Sequence, residues 1–237
     1  MRRRCEFNTR FAADIPDTSR AHDNMKSSGG FVALPASVGT IFALVMMAAL
    51  PAAASGAQGS IEAGQSKSVQ CAACHGVDGN SLNPEWPSLA GQNADYLVRM
   101  LKAFKSGDRS NVLMNSQAVA LGDQDMLDLG AYFASRPRQL KTADPKVVAA
   151  GERLYRGGNK DTGVSACIAC HGPEGSGNGP AAYPAIAGQQ ATYVAAQIKA
   201  YRAGQRTSDL NQVMRNNTAR LTDAEIDAVS SYIQGLR

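Results

Sequence analysis

The segment CAACHG at residues 71–76 recurs further along the chain as CIACHG at 167–172, an offset of 96 residues. A second segment, PSLAGQ at 87–92, recurs as PAIAGQ at 184–189, an offset of 97 residues. Two matched signals in the same order and at nearly constant spacing indicate an internal duplication. The chain after residue 57 is therefore interpreted as two tandem repeats.

Both copies of the first segment contain Cys-x-x-Cys followed at once by His. This is the attachment motif of c-type haem, in which two thiols one helical turn apart add to the porphyrin vinyl groups and the histidine ligates the iron. The motifs predict two covalently bound haem c groups, one held by Cys71, Cys74 and His75 and the other by Cys167, Cys170 and His171.

Three other uses of a Cys-x-x-Cys motif compete with haem attachment. They are a disulfide, a thioredoxin-like dithiol and a zinc site built from two such motifs. The histidine in both copies, the lack of a strand-rich pattern and an export signal favour haem. The fifth cysteine, Cys5, lies in the N-terminal segment and has no predicted role.

The second axial ligand of each iron is predicted by elimination. The third histidine, His22, lies upstream of the mature chain, which leaves methionine as the soft neutral ligand. Met214 is the only methionine in the second repeat, and Met114 occupies the matching position in the first. Met100 and Met126 fall within apolar stripes at helical spacing and are predicted to be core residues.

Pro87 and Pro184 follow the two motif histidines by twelve and thirteen residues. A proline carbonyl at this distance could accept the hydrogen bond of the proximal imidazole and fix its tautomer. An ordinary loop proline remains the alternative. Tyr96 with Tyr193 and Arg109 with Arg206 also recur, and either a role at the haem edge or simple packing would explain them.

Apolar periodicity predicts an all-α fold with helices near 93–105, 123–135, 190–203 and 223–234. A polar segment at 137–144 is interpreted as the linker between domains at 58–136 and 145–237. Asp144-Pro145 is predicted to be an N-cap followed by the first helical residue. Thr222-Asp-Ala-Glu225 is a capping box, for which the first repeat has Gly122 instead of a hydroxyl residue.

Residues 1–57 are interpreted as an N-terminal extension and a signal peptide. No charged residue occurs from 31 to 54, and alanines at 52–54 suit signal peptidase. A retained transmembrane anchor is the alternative, and Met25 is a candidate for the true start.

The net charge of +4, from 24 basic and 20 acidic residues without a long basic run, gives no support for nucleic-acid binding.

Together these residues resemble the dihaem cytochromes c4, which contain two class I cytochrome c domains, each wrapped around one haem. The resemblance implies a periplasmic electron carrier, in some members loosely attached to the inner membrane. Its donor would be a quinol-oxidising cytochrome bc-type complex and its acceptor a terminal oxidase or reductase. The resemblance further implies that haem propionates meet at the domain interface.

Two alternative functions keep the haems. The chain could be the cytochrome subunit of a larger dehydrogenase or oxidase complex. It could also be a dihaem peroxidase, which needs one open iron coordination position. Methionine at both distal positions argues for an electron-transfer protein rather than an enzyme.

Overall fold

The computed structural model describes residues 58–237, in which each repeat consists of five helices. The first repeat contains α1 (Ile61–Lys67), α2 (Val69–His75), α3 (Ala94–Ser106), α4 (Val112–Ala118) and α5 (Asp123–Ala134). The second contains α6 (Val148–Gly157), α7 (Ile168–His171), α8 (Ala191–Arg202), α9 (Val213–Thr218) and α10 (Asp223–Gly235), with a 3₁₀ turn at Leu210–Gln212 before α9.

The first and last helices of each repeat cross in close contact. Helix α1 packs on α5, and α6 packs on α10 in the same way. Gly64 and Gly151 occupy the two crossing points, where a Cβ atom would collide with the carbonyl oxygens of Asp128 and Ala228. The absence of a side chain is what lets the helices approach this closely.

The core of the first repeat lies between α3 and α5, and that of the second lies between α6, α8 and α10. Helix α3 packs on α5, and α8 packs on α10. The first core includes Leu97, Met126, Leu129 and Phe133, and the second includes Tyr155, Ile198, Ile226 and Val229. Both cores also contact a motif cysteine, Cys71 or Cys167, so the motif is anchored on the packed side of the bundle.

The four long helices that periodicity predicts are confirmed to within one residue at each end. The capping box is also confirmed, because Thr222 Oγ1 accepts from the Glu225 N–H at 3.2 Å and Glu225 Oε2 accepts from the Thr222 N–H at 2.9 Å. In the first repeat only half of the box exists, with Asp125 Oδ2 accepting from the Gly122 N–H. The all-α class holds for residues 58–237, where only two isolated β-bridges interrupt helices and loops.

The predicted start of α6 is wrong. The helix begins at Val148, three residues beyond Pro145. Asp144 instead stabilises the preceding turn, where its Oδ1 accepts from the Lys146 N–H at 2.9 Å. A local Asx turn can thus compete with the helix N-terminus for the same side chain.

The segment 137–144 runs between the repeats without helical structure and is hydrogen-bonded to both. Gln139 N–H donates to Asn80 Oδ1 in the first repeat, and Lys141 Nζ donates to the Gly188 carbonyl in the second.

No helix within 58–237 is long and apolar enough to cross a membrane. The predicted signal peptide, anchor and alternative start fall in residues 1–57, outside the described part.

Candidate haem centres

Each Cys-x-x-Cys-His motif ends a helix. Cys71 and Cys74 lie one turn apart on α2, and His75 is its last residue. In the second repeat Cys167 is the N-cap of the single-turn helix α7, which ends at His171. The next residue in each repeat is a glycine with positive φ, +82° at Gly76 and +79° at Gly172, so the chain turns away directly after the histidine.

The structure brings each motif histidine to the proline that the sequence suggests. His75 Nδ1 lies 2.8 Å from the Pro87 carbonyl oxygen, and His171 Nδ1 lies 3.0 Å from that of Pro184. A carbonyl only accepts, so Nδ1 must carry the proton and Nε2 keeps its lone pair. This tautomer is the one that a histidine needs for metal ligation through Nε2.

Both imidazoles are buried, and this burial lowers their pKa values below the ordinary value for histidine. The hydrogen bond to the proline carbonyl opposes the shift without reversing it. Each histidine is therefore held neutral, oriented and ready to act as an electron-pair donor.

The four motif thiols are unpaired. Burial raises the pKa of Cys71, and it raises that of Cys167 to about 11. A thioredoxin-like dithiol needs a depressed pKa at its attacking thiol, which is the opposite shift. Within residues 58–237 no cluster of three or more His, Cys, Asp or Glu side chains is arranged to hold a metal ion.

The two predicted methionine ligands lie on equivalent short helices. Met114 is on α4 and Met214 is on α9, and both are half-buried. Asn111 caps α4 by accepting from the Met114 N–H at 3.0 Å. In the second repeat, buried Asp209 performs the anchoring role by accepting from the Arg215 N–H and Nε at 3.0 and 2.8 Å.

Met126 is a core residue, as its apolar stripe predicts. Met100 is buried as well, but it lies at the contact between the repeats, where Arg206 Nη2 approaches its sulfur at 3.4 Å. The predicted core position therefore describes Met100 only in part, because its sulfur also contacts a charged side chain of the other repeat.

The recurring tyrosines and arginines meet across the contact between the repeats. Arg109 Nη2 donates to the Tyr193 hydroxyl, and Arg206 Nη2 donates to the Tyr96 hydroxyl, both at 2.9 Å. Gln197 Oε1 accepts from both guanidinium groups, at 2.9 and 2.7 Å. The sequence signal was their recurrence at one offset, but only the folded arrangement shows that each pair is formed between repeats.

This cluster carries positive charge that forms no ion pair with a carboxylate of residues 58–237. Arg109 and Arg206 are both buried, and neither forms an ion pair among the described residues. Burial by itself would raise the pKa of Tyr96, but the charges of Arg206 and Arg109 outweigh this effect and lower it. A buried site of this kind favours an anionic group, and the propionates of haem fit it.

Comparison with known proteins assigns the family. The family described as Cytochrome c matches residues 61–137 and 148–237. Cytochrome c4 of Azotobacter vinelandii is 46% identical over 190 residues, which cover 76% of this chain and 90% of that protein. The thiosulfate dehydrogenase electron acceptor of Stutzerimonas stutzeri (strain A1501) is 38% identical over 168 residues, covering 69% of this chain and 77% of the relative.

A solved structure has the same fold. Reduced recombinant cytochrome c4 from Pseudomonas stutzeri superposes with a TM-score of 0.74 at 44% identity, covering 76% of this chain and 100% of that one. Two cytochrome c segments, each with its own attachment motif, mean that the chain carries two covalently bound haem c groups. The chain belongs to the dihaem cytochrome c4 family of tandem class I cytochrome c domains.

Proposed function

We propose that this protein carries single electrons in the periplasm, from a quinol-oxidising cytochrome bc-type complex to a terminal oxidase or reductase. The coarser assignment, a dihaem electron carrier, follows from the family. The observation that carries the proposal is the pair of buried histidines whose Nδ1 atoms are bonded to Pro87 and Pro184, with both Nε2 atoms left as donors.

The proposed iron ligands are His75 with Met114 in the first repeat and His171 with Met214 in the second. Cys71, Cys74, Cys167 and Cys170 are the proposed thioether residues, and Pro87 and Pro184 orient the histidines. The bound iron supplies one-electron redox chemistry. Methionine opposite each histidine would fill the last coordination position and exclude oxygen and peroxide, which supports a carrier over a dihaem peroxidase.

The proposed domain limits are 58–136 and 145–237, with 137–144 as the linker and 1–57 as the extension and signal peptide. We further propose that the propionates lie against the Arg109 and Arg206 guanidinium groups. Support comes from the buried, unneutralised charge of these arginines. Peripheral attachment to the inner membrane is compatible with a carrier that serves membrane complexes.

The near-infrared band from Met sulfur to ferric iron tests the ligand assignment. A pyridine haemochrome assay should give two haems per chain, and the oxidised protein should show the band at an intensity that corresponds to two Met-ligated irons. Met114→Ala and Met214→Ala should each remove about half of this intensity, since each removes one of two ligands. The control Met126→Leu changes only the core and should keep the full band.

A contrary result would be equally clear. If the wild-type protein shows one Met-ligated iron, an open coordination position exists, and carbon monoxide binding to the reduced protein should then reveal it. A half-intensity band together with carbon monoxide binding would reject the carrier assignment in favour of the peroxidase alternative.

A second candidate function is that of an electron acceptor for a dehydrogenase. The observation favouring it is the 38% identity to a protein named thiosulfate dehydrogenase electron acceptor. Stopped-flow reduction of the oxidised protein decides between the two donors. Rapid reduction by membranes containing the cytochrome bc-type complex supports the first function, whereas rapid reduction only by thiosulfate with its dehydrogenase, or co-purification with a catalytic partner, supports the second.

A further inference from the structure

The peptide group that orients each motif histidine is also held by a glutamine of the other repeat. In the Pro87–Ser88 peptide, the carbonyl oxygen accepts from His75 Nδ1 at 2.8 Å. The N–H of the same peptide, that of Ser88, donates to Gln189 Oε1 at 2.8 Å. A single peptide group therefore links a histidine of the first repeat to a glutamine of the second.

The reciprocal linkage exists in the other direction. The Pro184 carbonyl accepts from His171 Nδ1 at 3.0 Å, and the Ala185 N–H donates to Gln92 Oε1 at 2.8 Å. Gln92 and Gln189 occupy the same position in the two repeats. The two linkages thus form a crossed, symmetric pair.

Each glutamine is fixed in orientation by a second bond. Gln189 Nε2 donates to the Ser88 carbonyl at 2.9 Å, and Gln92 Nε2 donates to the Ala185 carbonyl at 2.8 Å. Both glutamines are buried, as is Ser88. The carboxamide oxygen must therefore face the peptide N–H, because reversing the amide would place an NH₂ group against an N–H.

Hydrogen bonds at the two ends of one peptide group strengthen each other. An acceptor on the N–H draws electron density toward the carbonyl oxygen, which then accepts more strongly from the imidazole. A more strongly bonded Nδ1–H makes the ring a better electron donor through Nε2. Better donation stabilises ferric iron and lowers the reduction potential.

We infer that Gln92 and Gln189 are positioning residues that act across the domain interface, each setting the donor strength of the proximal histidine in the other repeat. The inference rests on the proposed function, in which His75 and His171 are iron ligands. Each haem potential is then partly set by the opposite domain, and separating the domains would change both potentials.

Simple interface packing would give a different pattern of effects. A glutamine that only holds the domains together should, when replaced, affect both haems alike or affect stability alone. Gln190 offers a matched control: it is buried next to Gln189 and its Nε2 donates across the interface to the Ser81 carbonyl at 2.6 Å. Ser81 does not belong to the peptide that accepts from a histidine.

The test compares Gln189→Met, Gln92→Met and Gln190→Met in the dihaem protein. Haem methyl NMR resonances followed through a redox titration report each haem separately. We expect Gln189→Met to raise the potential of the first-repeat haem more than that of the second, and Gln92→Met to do the reverse. In the reduced protein, the His75 Nδ1–H resonance should move upfield in Gln189→Met, as expected for a weaker hydrogen bond. Gln190→Met should not shift the potential of one haem more than that of the other.

The inference is overturned if Gln189→Met shifts the second-repeat haem more, shifts both equally or shifts neither. If the Gln189→Met protein does not incorporate both haems, the Gln189→Glu protein provides the test instead, since glutamate keeps an acceptor oxygen and the shape of the side chain. Its first-repeat potential should stay equal or fall, and a rise would reject the inference. Loss of histidine ligation in the wild-type protein itself would instead reject the proposed function.

Discussion

Tyr155 illustrates how one hydroxyl stabilises the backbone beside a haem-binding motif. Its side chain is fully buried, and its hydroxyl donates to the Gly172 carbonyl at 2.7 Å, directly after His171. Tyr155→Phe removes this bond and leaves the carbonyl only its 3.2 Å bond from the Gly175 N–H, so the free energy of unfolding should fall by about 1 kcal/mol. Guanidinium denaturation of the dihaem protein measures the loss.

Tyr132→Phe is the control for this prediction. The Tyr132 hydroxyl lies 3.4 Å from the Val77 carbonyl, at the limit of a hydrogen bond. Its loss should therefore cost less than about 1 kcal/mol. Equal losses in the two variants would show that the short bond to Gly172 contributes nothing beyond packing.

Residues differ in how well their roles could be predicted from the chain alone. The motif cysteines and histidines are identified by spacing within six residues, and the prolines by distance along one loop. Gln92, Gln189 and the Arg–Tyr pairs were visible only as repeated letters, because their partners lie in the other repeat. No local pattern encodes a contact formed by residues about 100 positions apart.

At the level of helices, length decided what could be predicted. The four helices of 12 or 13 residues were predicted over their whole length, whereas none of the other six, of 4 to 10 residues, was predicted with both of its ends. Short helices gain stability from tertiary packing rather than from periodicity. Helix α1, for instance, depends on the glycine at its crossing with α5.

The two helix crossings give a matched prediction. Gly64→Ala and Gly151→Ala place a methyl group against a backbone carbonyl that cannot rotate away, and overpacking of this kind costs about 1–3 kcal/mol. Gly157→Ala, at the end of α6 with no heavy atom near its added Cβ, should instead stabilise by about 0.4–1 kcal/mol. Thermal unfolding distinguishes these opposite signs, and a neutral Gly64→Ala would contradict the close approach of α1 and α5.

The crossing in the first repeat also carries a partly buried ion pair that the second lacks, between a Lys67 side chain that is 32% exposed and an Asp128 side chain that is 3% exposed. Lys67 Nζ bonds to Asp128 Oδ2, and the Ser60 N–H and Gln124 Nε2 donate to Oδ1. These contacts, first among them the Lys67 bond, lower the pKa of Asp128 to about 2 from its ordinary 3.8. A carboxylate with a depressed folded-state pKa stabilises the fold above its unfolded pKa, and this contribution is lost as the pH falls from about 4 to about 2.

We therefore expect Asp128→Asn to flatten the dependence of unfolding free energy on pH in the acidic range. The wild-type protein should lose stability more steeply than this variant between about pH 5 and pH 2. The control Asp123→Asn removes a carboxylate that is 81% exposed and only loosely paired with Lys102, and it should leave the wild-type slope nearly unchanged. Parallel curves for wild type and Asp128→Asn would contradict the prediction.

On the scale of the whole molecule, polar contacts made directly between the two domains join them in addition to the covalent linker. Asn93 Nδ2 and Arg99 Nη2 donate to the carbonyls of Tyr183 and Ala182, both at 2.9 Å. The Tyr193 N–H donates to the Pro84 carbonyl at 3.0 Å. Separating the domains would exchange these bonds for bonds to water, so each bond adds only a modest amount to the free energy that joins the domains, and together they add more.

The dihaem protein should consequently unfold in one calorimetric transition, with equal calorimetric and van't Hoff enthalpies. The double variant Asn93→Ala/Arg99→Met removes two interface bonds without removing a helix cap, since Asn93 makes no side-chain capping bond on α3. Its transition should broaden or split in two as each domain unfolds separately. Arg153→Met, at an exposed position on α6, should keep the single transition. Two transitions already present in the wild-type protein would mean that the interface is too weak to join the domains into one folding unit.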